Sequence, residues 1–206
     1  DYTKAFEWYT KSANGGNTAA QNNLGLMYYY GEGTKKDYTY AIKCCEVSAN
    51  SGNADAQLTL AGMYYEGKGI EKDYTKAFEY YKKSADGGNI ESYDKLANMY
   101  YLGKGIKQDF KKAFEWYKKS ADGGNTSVYN NLANMYYEGS GTKKIYKKAF
   151  EWYEKSANEG NTDVYNILGI MYYNGEGTNK DYTKAFEWYE KSANKGDIRS
   201  QYSLGN

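Results

Sequence analysis

The sequence predicts an all-α fold in which short antiparallel helix pairs stack in a row, with a repeat of 36 residues. The segment DYTKAFEWY opens the chain, and related segments return at this interval without insertion or deletion. A strict period in this range is typical of stacked-repeat proteins, in which each unit contacts only its neighbours. Alanine and glycine keep fixed positions within the period, as close helix packing and helix ends require. The related segments begin at Asp1, Asp37, Asp73, Asp109, Ile145 and Asp181.

The same period predicts the domain organisation. We expect residues 1–206 to form a single repeat array with five complete units and a truncated sixth. The chain opens within one repeat, without an initiator Met, and stops within another, so we expect it to be a segment of a longer solenoid. The positions that differ between units should then carry the information about binding, because the constant positions are those the fold needs.

Each 36-residue repeat is predicted to contain two helices, and the second repeat, which begins at Asp37, shows why. Asp37 is a good N-cap, because its carboxylate can accept hydrogen bonds from first-turn N–H groups. A helix over Tyr38–Asn50 should follow, and Gly52 should end it in the left-handed conformation. Asn53 should then cap a helix over Ala54–Glu66, whose apolar residues recur at helical spacing.

Small and apolar residues recur where a helix hairpin must pack against its neighbours. A single hairpin of this kind cannot bury its apolar face, whereas a stack can. The cap position has one exception, since Ile145 replaces the usual Asp, and the loss should cost about 1 kcal/mol locally. The small residues are Ala5, Ala41, Ala77, Ala113, Ala149 and Ala185, and the filling leucines are Leu24, Leu60, Leu96, Leu132, Leu168 and Leu204.

At this point the residues resemble a known family. The units contain the pattern A-x-x-x-L-[AG]-x-x-Y-x-x-G-x-G, seen in Ala56–Gly69, and the pattern D-x-x-x-A-x-x-W-Y-x-K-S-A-x-x-G, seen in Asp109–Gly124. This combination resembles the Sel1-like repeat, a relative of the tetratricopeptide repeat, over the whole chain. The resemblance implies a right-handed superhelix of antiparallel helix pairs with a concave groove. It also implies a non-catalytic adaptor or scaffold that assembles protein complexes.

Charge and composition narrow the classes of partner. Lys and Arg number 27 against 26 Asp and Glu, so the net charge of +1 does not favour nucleic acid as a partner. No apolar run approaches the ~20 residues of a membrane span, so we expect no membrane partner.

The candidate chemical motifs favour structure over catalysis. Cys44 and Cys45 lack the further Cys or His ligands that a metal would need, so we interpret them as buried apolar residues, with a strained vicinal disulfide as the alternative. The G-x-G loops follow helices and lack the Lys-Ser/Thr continuation of a phosphate-binding loop, so we interpret them as turns. With no His in the chain and no distinctive carboxylate cluster, we predict neither an enzyme nor a cofactor.

Binding is predicted on the first helix of each pair, which lines the concave groove in tetratricopeptide-like arrays. The residues facing away from Leu60 and Tyr64 include a tyrosine that is constant in every complete unit and a group of polar residues. Tyr is enriched at binding hot spots, and Asn can bond both N–H and C=O groups of an extended peptide. The alternative is that the tyrosines pack between successive hairpins. The tyrosine ladder is Tyr29, Tyr65, Tyr101, Tyr137 and Tyr173, and the asparagine patch is Asp94, Asn98, Asn130, Asn134 and Asn166.

The sequence therefore predicts a non-enzymatic scaffold or adaptor that holds a protein or peptide partner in the groove. Such a segment could be one module of a scaffold with several sites. Two alternatives stay open: a carbohydrate-binding module, in which aromatic rings cover sugar faces, and a purely architectural spacer. The tryptophans at one position of the repeat are interpreted as core residues, with a sugar-stacking platform as the alternative. They are Trp8, Trp116, Trp152 and Trp188.

Overall fold

The computed structural model describes residues 1–205, and Asn206, the last residue of the predicted array, lies outside the described residues. Within residues 1–205 the regular secondary structure is helical, with no strand, which confirms the predicted all-α fold. The chain divides into two compact units, Asp1–Asp109 and the residues from Phe110 onward. Each unit is built from the same helix pairs.

The first unit contains six α-helices along residues 1–109. They are α1 (Tyr2–Asn14), α2 (Thr18–Tyr30), α3 (Tyr38–Asn50), α4 (Ala54–Glu66), α5 (Tyr74–Asp86) and α6 (Glu91–Leu102). Helices α3 and α4 have the bounds that the sequence predicts. We call α2, α4 and α6 the first helices, because each is the first helix of a tetratricopeptide-like pair and is followed by the helix that begins at the next DYTKAFEWY-type segment.

The second unit continues the pattern within the described residues 110–205. Its helices are α7 (Phe110–Asp122), α8 (Tyr129–Glu138), α9 (Tyr146–Asn158), α10 (Tyr165–Asn174), α11 (Tyr182–Ala193) and α12 (Ile198–Leu204). The first helices here are α8, α10 and α12. Their core includes leucine, methionine and tyrosine side chains that are almost fully buried, as the repeat pattern predicts.

The predicted capping residues open most of the helices. The Asp37 carboxylate accepts from the backbone N–H of Tyr40 at 2.9 Å, and the Asn53 carbonyl oxygen accepts from that of Ala56 at 2.9 Å. Ile145 provides no side-chain cap, as expected, yet α9 begins at the next residue like its counterparts. Packing of the helix against its neighbours therefore sets its start even where the cap is lost.

The second unit departs from the predicted helices at two of their starts. Asn125 and Asn161 cap 3-10 turns instead of α-helical turns, and their side-chain oxygens accept from the backbone N–H two residues on, at 3.1 and 3.0 Å. The turns span Thr126–Val128 and Thr162–Val164, and α8 and α10 begin directly after them. Each turn ends on a buried valine, where the first unit has the smaller Ala or Ser.

Buried serines connect successive helix pairs, a feature that the sequence analysis did not identify. The Ser48 hydroxyl on α3 donates to the backbone carbonyl of Thr18 at 2.6 Å. In the next repeat the Ser84 hydroxyl donates to the carbonyl of Ala54 at the same distance. These bonds give a second donor to carbonyls at the starts of α2 and α4, and they satisfy the buried serine hydroxyls while joining α3 to α2 and α5 to α4.

Candidate partner-binding groove

Three adjoining cavities lie along the first helices of the first unit. One, of about 660 Å³, is bordered by Asp55 and Leu58. The second, of about 250 Å³, shares Leu58 with it and also contains Gly62 and Tyr81. The third, of about 290 Å³, shares Tyr81 with the second and contains Tyr65. We call this set of cavities the unit-1 groove; its main lining residues are Leu26, Leu58, Gly62, Glu66, Tyr81 and Lys95.

The unit-1 groove lies on the face of α4 that the sequence predicts for binding. Asp55, Leu58, Gly62, Tyr65 and Glu66 were expected to face away from the buried side of this helix, and each lines one of the cavities. The helical period is sufficient for this prediction, because residues on opposite faces of a short helix differ in burial. Whether a partner uses this face stays a prediction.

In the first unit the tyrosine ladder both packs and lines the groove. Tyr29 is half-buried, and its ring contacts that of Tyr38 edge-on, with ring centroids 5.2 Å apart. Tyr65 meets Tyr74 in the same way at 5.1 Å. Both ladder residues nevertheless line the unit-1 groove, so each has one side against the next hairpin and the other toward the cavity. Tyr101 is also half-buried.

Charged side chains fix the hydroxyl groups of these tyrosines. The Tyr29 hydroxyl donates to the Glu66 carboxylate at 3.0 Å, and Lys104 Nζ donates to the Tyr65 hydroxyl at 2.8 Å. Glu66 also pairs with Lys68, whose Nζ lies 2.6 Å from its carboxylate. The hydrogen bonds from Lys68 and Tyr29 lower the pKa of Glu66 from its ordinary value. The carboxylate therefore stays charged at the rim of the groove.

The ladder tyrosines of the second unit have similar contacts. Tyr137 packs edge-on against Tyr146 at 5.1 Å, and its hydroxyl donates to Glu176 at 2.9 Å. Burial, followed by the hydrogen bond to Glu176, raises the pKa of Tyr137 to about 12. Tyr173 is 53% exposed and contacts Tyr182 at 5.2 Å. Both interpretations of the ladder thus describe part of its environment.

The asparagine patch is less uniform than the sequence suggests. Asn134 is exposed, and its side-chain oxygen accepts from the Tyr153 hydroxyl at 2.6 Å. Asn166 is 8% exposed, and its side-chain N–H donates to the Ser200 hydroxyl at 2.7 Å, an internal contact between two first helices. Asn130 is half-buried. Roles for these three residues in binding stay predictions.

The remaining patch residues lie on α6 of the first unit. The Asn98 side-chain N–H donates to the backbone carbonyl of Asp94 at 2.9 Å, within the same helix. The Asp94 carboxylate lies 3.3 Å from Lys95 Nζ. Asn98 and Lys95 line the groove. This part of the groove therefore presents both a carboxylate–ammonium pair and a polar amide.

Tyr81 is a groove residue that the sequence analysis missed. It belongs to α5, is only 5% exposed, and lies where the second and third cavities meet. Its counterpart in the second unit is Tyr153, whose hydroxyl bonds to Asn134. Gly62 on α4 occupies the repeat position of Asn134, whereas α6 has Asn98 there. The signal in the sequence was a Gly in place of Asn beside a position that is Tyr in five of the six repeats and Cys45 in the other.

The tryptophans are less buried than the sequence analysis expected. Trp8, on α1, is 66% exposed. The other three are half-buried, and Trp152 and Trp188 pack against the buried core, so the interpretation as core residues holds in part for these two. A lysine three residues later covers each ring at 4.2–4.6 Å from its centroid, which shields the ring from water and keeps the ammonium hydrated.

Cys44 and Cys45 serve in packing. Both residues are free thiols, Cys45 buried and Cys44 half-buried, which confirms the interpretation as apolar packing residues. Burial raises the pKa of Cys45 to about 12. A thiol that stays protonated at neutral pH is a poor nucleophile.

None of the helices among residues 1–205 has the length and apolar character of a membrane span.

Fold and groove together define the class of the protein, an all-α solenoid protein of stacked helix pairs. The Sel1 repeat family profile matches residues 1–17, 18–53, 54–89, 90–125, 127–161 and 163–197. The chain therefore belongs to the Sel1 repeat family, which confirms the resemblance seen in the sequence. Members of this family commonly serve as protein-interaction scaffolds, and their fold is generally non-catalytic.

Solved structures of similar proteins agree with this assignment. A protective antigen from uropathogenic Escherichia coli, described as displaying an SLR fold, is 37% identical over 99% of this chain, with a TM-score of 0.92. This chain covers 44% of the length of that protein. A Sel1 repeat protein from Oxalobacter formigenes is 30% identical over 91% of this chain and 75% of its own length, with a TM-score of 0.80. A comparison with curated proteins finds no match.

Proposed function

We propose that the chain is a non-enzymatic scaffold or adaptor segment that holds an extended segment of a partner protein in the unit-1 groove. The observation that carries the proposal is the continuity of three cavities along α2, α4 and α6, on the face that varies between repeats. Constant positions of the repeat are used by the fold, so variable positions that line a cavity are the ones available to define a partner.

The chemistry of the groove suits a polypeptide. Leu26 and Leu58 offer apolar area, while Lys95 and Asn98 offer hydrogen-bonding groups beside it. Binding sites commonly combine apolar walls with a small number of fixed polar groups that orient the ligand. An extended chain can place its backbone N–H and C=O groups against such polar groups and its side chains in the cavities.

The proposal extends to the organisation of the parent protein. The Escherichia coli antigen is similar to this chain along nearly all of the chain, although the chain spans less than half of that protein. We propose that this chain is likewise a module of a longer array with several related docking positions. In repeat arrays each unit adds surface to its neighbours, so several modules can hold several partners.

Site-specific photo-crosslinking tests the proposal. A photoreactive benzoylphenylalanine is placed at Leu58 in the groove and, as the matched control, at Val47, which is 51% exposed on α3 and lines none of the described cavities. Cross-linking in an extract of the source cells, followed by mass spectrometry, should give a polypeptide adduct from Leu58 alone. A Leu26→Asp change should abolish that adduct, because it places a charge in the same cavity.

Other outcomes would count against the proposal. Equal adducts from Leu58 and Val47 would show nonspecific contact, and the absence of any Leu58 adduct would favour an architectural spacer. A carbohydrate adduct in place of a polypeptide would favour a glycan-binding module.

A further inference from the structure

The cavity above Gly62 has a polar group at its base. Tyr81 of α5 is 5% exposed and lines the cavity that Gly62 borders as well as the adjoining cavity beside Tyr65. A Cβ atom built on Gly62 would lie 3.8 Å from the Tyr81 hydroxyl oxygen, so the two residues face each other directly. Within residues 1–205 the Tyr81 hydroxyl forms no hydrogen bond. We call this cavity, bounded by Gly62, Tyr81, Leu26, Leu58 and Met63, the Gly62 notch.

The second unit shows what the notch lacks. There Asn134 occupies the position of Gly62, and its side-chain oxygen accepts from the Tyr153 hydroxyl at 2.6 Å. The Tyr81 hydroxyl is not among the buried unpaired polar atoms of residues 1–205; it is open to the cavity, where an entering group can accept its hydrogen bond. At Gly62 the protein supplies the tyrosine but omits the amide, although Asn98 provides an amide at this repeat position on α6. The glycine has no side chain to fill the space, so a ligand group can take the position of the missing amide.

The surroundings of the notch select the chemistry of that group. The Tyr81 hydroxyl can donate to an oxygen acceptor, and Leu58 and Leu26 can pack against an alkyl stem. Two carboxylates, Glu66 and Glu91, and one ammonium, Lys95, line the same cavity. Lys95 Nζ lies 3.3 Å from the Asp94 carboxylate. The excess of carboxylates disfavours a carboxylate ligand, and these carboxylates can accept hydrogen bonds from an N–H₂ group. A primary amide meets these conditions together, because it carries one acceptor oxygen and two donor hydrogens.

We infer that the Gly62 notch is a specificity pocket that binds an asparagine or glutamine side chain of the polypeptide held in the unit-1 groove. This inference rests on the proposed function and names the residue type that the groove recognises. The amide of the partner takes the place that Asn134 has in the second unit: its oxygen accepts from the Tyr81 hydroxyl, and its stem lies between the leucines.

The test uses a random dodecapeptide library displayed on phage and selected on the complete chain. Peptides that bind should share one Asn or Gln. Replacement of that residue by Leu should weaken binding about tenfold, since a neutral hydrogen bond and the desolvated partner left behind are together worth about this factor. Fluorescence anisotropy with labelled peptides measures the affinity.

Two protein variants test whether the amide of the peptide binds in the Gly62 notch. Gly62→Asn should reproduce the internal bond of the second unit, fill the notch, and reduce the affinity at least about tenfold. The variant should fold, since the same residue occupies this position on α8, and Asn is a better helix former than Gly. Tyr81→Phe should reduce the affinity for amide-containing peptides about three- to tenfold and leave the affinity for their Leu variants unchanged. As the matched control, Tyr153→Phe should leave peptide binding unchanged.

The outcomes separate this inference from the proposed function. If selected peptides lose affinity for Leu58→Asp but bind Gly62→Asn and Tyr81→Phe normally, the groove binds peptides and the notch inference is wrong. If the selected peptides share no amide residue, the notch inference is also wrong. If no peptide is enriched, both the groove as a peptide site and the notch inference are overturned.

Discussion

A pair of glycine substitutions in the second unit tests how the loops hold the repeats together. Gly177 and Gly160 both have left-handed backbones, with φ of 75° and 86°. A Cβ atom at Gly177 would overlap the carbonyl oxygen of Tyr146 and lie 2.8 Å from the backbone nitrogen of Lys147, both at the start of α9. At Gly160 no atom lies within 4 Å of such a Cβ. Alanine at either position would have to adopt a left-handed backbone, but only at Gly177 would its Cβ also clash with neighbouring atoms.

The magnitudes follow from this difference. Alanine in the left-handed region costs roughly 1–2 kcal/mol relative to its preferred conformation, and this applies to both variants. Gly177→Ala adds the cost of moving a backbone segment, about 1–3 kcal/mol by analogy with overpacked cores. Backbone atoms cannot rotate out of the way as a flexible side chain can, so we expect the upper part of that range.

Thermal unfolding followed by circular dichroism measures the difference. At roughly 2–4 °C per kcal/mol for a chain of this size, the Tm of Gly177→Ala should lie about 4–12 °C below that of Gly160→Ala. Amide hydrogen exchange should also show lost protection in the first turn of α9 for Gly177→Ala alone. Equal Tm values and unchanged protection would refute the argument that the loop must lie against α9.

Two further predictions concern pH and capping. The pKa of Tyr137 is raised to about 12, against an ordinary value near 10, so the unfolded chain loses this proton first. The stability that it contributes is complete below pH 10 and falls as the pH rises through 12; helix content and tyrosinate absorbance should change together in this window, and intact helices with fully ionised tyrosines would contradict the prediction. Asp37→Ala should lower the free energy of unfolding by about 1 kcal/mol, because the cap of α3 is lost, whereas Asp37→Ser should retain most of it. Urea denaturation compares the three proteins, and equal stabilities would show that the cap has no net effect.

The sequence was sufficient for features that depend on neighbouring residues along the chain. Helices α3 and α4 begin and end where Asp37, Gly52 and Asn53 predict. These signals are local, since a cap bonds to an N–H within three residues and a left-handed glycine ends the helix next to it. The strict period then allowed the same prediction to be repeated along the chain.

The sequence was insufficient where exposure depends on a neighbouring hairpin. Asn166 and Asn134 belong to the same predicted patch, yet one is buried against Ser200 and the other is exposed. Trp152 is half-buried because its ring packs against that of Tyr129 on α8, with ring centroids 5.1 Å apart. In each case the exposure depends on which side chains of another helix lie nearby, and a single helical period contains no record of them.

The sequence by itself determined that the chain is a helical repeat protein, where most of its helices start and end, and which positions face the core; the starts of α8 and α10 were exceptions. Tertiary structure decided which of the outward positions form a cavity and what lies at its base. The Gly62 notch exists because Tyr81 of α5 lies below α4 at the one turn where that helix lacks a side chain. Such a site requires residues far apart in the sequence to meet, and only the packing of the hairpins brings them together.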